Sequence, residues 1–147
     1  MSFTGLDVFD TTLQKTNSWL NELGELLGSD DRRYAYLALR CTLQALRDRL
    51  TVDEAAELGA QLPMLVRGIY YEGWRPTGKP LRIRTKAEFL DRVVRDLRTD
   101  DPVDPELLVS AVFEVLARRV TAGEIEDVTL MLPAELQALW PGRTRAA

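Results

Sequence analysis

Two tandem, homologous four-helix repeats packed into one all-α unit are the architecture this 147-residue sequence predicts, and three observations carry the prediction. Displaced along itself by seventy positions without a gap, the chain matches itself: Leu62-Pro63 falls on Leu132-Pro133, and Asp30-Asp31 on Asp100-Asp101. Apolar residues recur at helical spacing at corresponding places in both halves. Thr51 and Glu54 recur as Thr121 and Glu124, each pair a capping box that opens a helix. The expected organisation is repeat one over 8–75, a linker over 76–82, repeat two over 83–142 and a tail over 143–147.

The first helix is expected over 13–27, where Leu13, Trp19, Leu20, Leu23, Leu26 and Leu27 form one stripe. Its counterpart over 83–97 repeats the stripe with Ile83, Phe89, Leu90, Val93 and Leu97, so Trp19 and Phe89 read as matching core rings. Each helix runs out at an Asp-Asp pair, where a carboxylate accepts hydrogen bonds from the free N–H groups of the next helix. Helices near 33–49 and 105–119 follow. They bury Leu39, Leu43, Leu46 and Leu50 in one, and Val109, Phe113, Leu116 and Val120 in the other. Arg49 and Arg119 end them, where a cation meets the negative end of the helix dipole. Pro63 and Pro133 close the third helices, because proline disfavours helical geometry at the residue before it. Each then serves as first residue of a short fourth helix, carrying Val66, Ile69 and Tyr70 or Leu136, Leu139 and Trp140.

Composition narrows the function. A net charge of -4 opposes general affinity for phosphate backbones, which requires a positive surface to displace counterions. The single cysteine, Cys41, excludes an intramolecular disulfide and reads as a small core residue in a reducing, cytoplasmic setting. No apolar run approaches the ~20 residues that span a bilayer, the start lacks a signal-peptide pattern, and no helix is basic enough to lie on a membrane. Histidine is absent, which removes the commonest general base and metal ligand. No phosphate-cradling glycine loop or nucleophile elbow occurs. An enzyme is therefore not expected, and no catalytic residue, metal ligand or cofactor is assigned.

The halves differ most after Tyr70. Between Glu72 and Lys86 the first half carries Arg75, Lys79, Arg82, Arg84 and Lys86, whereas the second half ends soon after Trp140-Pro141-Gly142. Aromatics beside arginines on a Gly/Pro-bounded loop have the composition of a binding hot spot. Tyr70, Tyr71, Trp74, Arg75, Lys79, Arg82 and Arg84 are accordingly the candidate partner-binding residues. The expected role is a non-enzymatic helical interaction or adaptor protein that binds a protein partner or self-associates. A nucleic-acid-binding regulator using the same segment is the alternative, and a ligand carrier or enzyme with a cleft between the halves a third. The plainer reading has Tyr70 and Trp74 pinning a loop whose basic residues face water or pair with the acidic first helix. A helix-turn-helix is suggested by Glu54 to Ala60, but the helix that would read bases, Pro63 to Tyr71, carries only Arg67.

The run Leu62-Pro63-Met64-Leu65-Val66-Arg67-Gly68-Ile69-Tyr70-Tyr71-Glu72-Gly73-Trp74, with Leu132-Pro133 and Leu139-Trp140, resembles the bacterial family known as domain of unknown function 2267. The resemblance extends from about Leu13 to Trp140. It implies an all-helical, cytoplasmic bacterial protein of two related halves, and it brings no activity, cofactor or catalytic residue to transfer.

Overall fold

Caps cut the chain into its helices. In the computed structural model, which describes residues 2–142, α1 spans Asp7–Leu27, α2 Arg32–Arg49, α3 Val52–Ala60 and α4 Met64–Tyr71. They are followed by α5 at Lys86–Leu97, α6 at Pro105–Arg119, α7 at Ala122–Leu130 and α8 at Ala134–Gln137. The fold is all-α, with no strand among the described residues. The expected tail, 143–147, lies outside them. No helix among the described residues is long and apolar enough to cross a membrane.

The caps follow the sequence with informative departures. Gly28 ends α1 at φ 66, a left-handed conformation that suits a residue without a Cβ. Asp31 caps α2 by accepting from the N–H groups of Arg33 and Tyr34. In the second half the cap moves from the expected Asp101 to Asp104, which accepts from Leu107 N–H. Pro105 explains the shift: its ring sets helical φ and it has no N–H to satisfy, so the helix begins there. Pro63 and Pro133 are caps of α4 and α8 and not their first helical residues. At α3 and α7 the Thr51 and Thr121 hydroxyls accept from Glu54 N–H and Glu124 N–H as expected. The complete capping box forms elsewhere, between Thr85 and Glu88 at α5. That box starts α5 at Lys86, so Ile83 is buried from an extended segment before the helix.

One apolar core runs through both sequence halves. The central helix is α2, which packs on α1, α4, α5 and α6. Beyond these, α1 packs on α6, α5 packs on α6 as well as on α2, and α3 packs on α7. Leu39, Leu43, Leu46 and Leu50 are buried, as are Val109, Phe113, Leu116 and Val120. Trp19 and Phe89 are core rings, and Phe113 stacks on Trp140 with centroids 4.0 Å apart. Cys41 is buried, and burial pushes its thiol up to about 11, which keeps it protonated and inert as a nucleophile.

Two expected dipole partners tie elements together instead. Arg49 Nε donates to the Ile83 carbonyl at 2.7 Å. Arg119 donates to Glu22 at 2.6 Å and to the Ser18 hydroxyl at 2.9 Å, with its guanidinium carbon 5.7 Å from the Trp19 ring centre. Gly59 lies inside α3, not in a turn, and the Tyr71 ring occupies the place its Cβ would need. The helix-turn-helix likeness therefore rests on a glycine that makes room for packing.

Candidate functional site

The segment after α4 forms a strap, residues 72–84, across the end of α2. Its entry is a ladder of rings. Tyr70 is 0% exposed and its hydroxyl donates to the Ala55 carbonyl at 2.7 Å. This corrects its expected place among the partner-binding residues: Tyr70 is an anchor, because a ring wholly inside the core has no face to offer a partner. Tyr71 meets Tyr70 edge-on at 5.0 Å and the half-buried Trp74 at 5.4 Å.

Hydrogen bonds to backbone then pin the strap. Arg47, 5% exposed, donates through Nη1 to the carbonyls of Tyr70 at 2.8 Å and Glu72 at 2.9 Å. Leu81 N–H donates to the Asp48 carbonyl at 2.8 Å, and Arg49 holds Ile83 as described. The Asp48 carboxylate, 4% exposed, accepts from Arg47 at 2.8 Å and from Arg92 of α5 at 2.9 Å. Each buried charge in this set therefore faces a hydrogen-bonded opposite charge, the condition under which buried ions are tolerated.

The basic residues of the strap are disposed differently. Arg75, Arg82 and Arg84 are exposed and Lys79 is half-exposed, and no side-chain hydrogen bond or ion pair holds them among the described residues. The acidic first helix does not take them. Glu22 of α1 is occupied by Arg118 at 2.8 Å and Arg119 at 2.6 Å, both from α6. Burial, and next the Arg84 charge, lower the proton affinity of Arg49 beneath the strap.

Two further features lie outside the predicted residues. On one side of the molecule α1 and α4 leave an apolar groove of about 400 Å³, lined by Phe9, Leu13, Met64 and Leu65, with Gly68 at its edge. At the α3/α7 contact Glu54, Glu57 and Glu124 each place a carboxylate oxygen within 4.8 Å of the others. Glu54 and Glu124 are the two glutamates expected from the sequence to complete the capping boxes of α3 and α7, which their side chains do not do. The self-match aligned them, but no linear pattern says that α3 packs on α7.

Burial, a hydrogen bond to Glu54 and the charges of Glu54, Glu57 and Asp127 push the Glu124 carboxyl up to about 8 from its ordinary 4.5. Since the folded value exceeds the unfolded one, the folded chain holds more protons between those values, and stability declines as pH rises through that window. The loss should amount to about 1 to 2 kcal/mol, allowing for solvent screening at a half-exposed group. Urea midpoints taken from pH 4.5 to 8.5 should fall more steeply for the native chain than for Glu124→Gln. Parallel curves would contradict this assignment.

The family model described as an uncharacterized conserved protein, DUF2267, matches residues 16–139. No curated protein matches the chain.

Proposed function

Since this chain belongs to the DUF2267 family of uncharacterized conserved proteins, whose description names no activity, we propose its function from its own surface: a non-enzymatic helical protein that binds an acidic protein partner through the strap. The observation that supports it is the contrast within one segment. The backbone of the strap is held by Arg47, Asp48 and Arg49, while Arg75, Arg82 and Arg84 carry charges with no acidic partner among the described residues. A held backbone lowers the ordering cost of binding, and unpaired guanidinium groups supply steering and bidentate recognition of carboxylates. Trp74, half-buried beside them, adds a flat apolar contact.

We read the scaffold as two tandem copies, repeat one over 8–75 and repeat two over 83–142, joined at 76–82. The reciprocal packing of α1 on α6 and α5 on α2, with α3 on its counterpart α7, supports that reading. Equivalent polar bonds support it too: Arg67 donates to the Leu62 carbonyl at 2.8 Å, and Gln137, seventy positions on, donates to Leu132 at 2.8 Å. The strap is then what joins the copies and what one has and the other lacks. The proposed setting is the cytoplasm.

Affinity capture from the native host with mass spectrometry, comparing the native chain with an Arg75→Glu/Arg82→Glu/Arg84→Glu variant, tests the proposal. A partner lost from the variant while its thermal melt is unchanged is the expected result. A partner retained by the variant removes the strap from consideration. A gel shift with mixed DNA and RNA at two salt concentrations tests the nucleic-acid alternative, because a phosphate-driven complex weakens steeply with salt.

A further inference from the structure

We propose that Glu54 and Glu57 of α3, together with Glu124 of α7, form a binding site for one hard divalent cation of the calcium, magnesium or manganese class. Such ions take carboxylate oxygens at about 2.0–2.6 Å, so oxygens sharing one ion lie no more than about 4–5 Å apart. The three glutamates meet that condition, with one oxygen from each inside 4.8 Å.

A second observation separates this cluster from an ordinary patch of surface acids. Glu54 is 4% exposed, and its buried Oε2 receives no hydrogen bond from any amine, amide or hydroxyl group. The buried Oε2 of Glu124 likewise receives none, so the Glu124–Glu54 hydrogen bond described above requires a proton held between two carboxyl groups, where a cation could sit instead. Carboxylate oxygens removed from water without donors are costly, and the cost is relieved only by a proton or a cation between them. Around them the charges acting most on Glu124 are Glu54, Glu57 and Asp127, all acids.

The helix ends set the charge balance. Glu54 and Glu124 lie in the first turns of α3 and α7, whose N-termini each present about half a positive charge. Two such ends offset about one of the three carboxylate charges, leaving about two for a divalent ion to neutralise. Glu57 is exposed, so the open side admits the water ligands that hard cations retain.

Manganese titration of the full chain, freed of metal with a chelator and followed by electron paramagnetic resonance and thermal melting, provides the test. At pH 8.5 one Mn²⁺ per chain should bind and raise the melting temperature. Glu54→Gln and Glu124→Gln should abolish it, and Glu57→Gln, on the exposed side, should weaken it with an unchanged metal-free melt. If Glu54→Gln fails to fold, the other two variants decide. No bound Mn²⁺ at pH 8.5, or binding unaltered in both Glu57→Gln and Glu124→Gln, would overturn the site and leave a proton-sharing pair.

Discussion

Arg47→Met should destabilise the protein by about 3 to 5 kcal/mol, the usual cost of removing one partner from a buried ion pair. Methionine retains most of the side-chain length and apolar contact, so the loss reports on the guanidinium. Three acceptors depend on it: the Asp48 carboxylate and the carbonyls of Tyr70 and Glu72. After substitution Asp48 keeps only Arg92, the buried Tyr70 carbonyl loses its guanidinium donor, and so does the part-buried Glu72 carbonyl. Arg118→Met is the matched control. Arg118 also makes two ion pairs, with Glu22 and Glu114, but its side chain is half exposed and screened by solvent, so a much smaller loss is expected there. Urea unfolding of the two variants measures the difference. Similar small losses in both would show that Arg47 does not organise the strap.

Trp140→Ala should cost a comparable amount, about 3 to 5 kcal/mol, by opening a cavity in the core. The residue lies beyond α8 and near the end of the described chain, a position where substitutions are often harmless. Here the indole is almost wholly buried and stacks on Phe113, whose ring lies 6.1 Å from that of Phe89. Removing it strips one face from a three-ring group that joins α5 and α6. Trp140→Phe should lose only about 1 kcal/mol, because the buried indole N–H has no acceptor and its removal offsets part of the lost contact area. Calorimetric melts of both variants separate contact area from polar cost. An alanine variant as stable as the phenylalanine one would contradict the packing argument.

Helix number and most of the core were legible in the sequence because both follow from local chemistry. Leu39, Leu43 and Leu46 declare a buried face by spacing alone, and Pro63 and Pro133 punctuate wherever they stand. The displaced cap at Asp104 shows the limit of that reading: Asp101 and Asp104 are equally good acceptors, and Pro105 decides between them. The candidate site was legible only as a segment. A run of rings such as Tyr70, Tyr71 and Trp74 does not say which one turns inward, since that depends on Ala55 and Gly59 of α3 lying beneath it. The pairing of Glu54 with Glu124 was further out of reach. Each looks like half of a local capping box, and only the packing of α3 on α7 draws the carboxylates away from that task.

Asp48 is a junction where three parts of the chain meet. Its carbonyl holds Leu81, its carboxylate holds Arg47 beside it, and the same carboxylate reaches Arg92 on the far side of the strap. The exposed turn at Pro76, Thr77 and Gly78 stands outside that junction, with only the Lys79 N–H bonded back to Pro76. A chain opened between Thr77 and Gly78 should remain one folded body, which gel filtration of the nicked protein checks: separated fragments would contradict it.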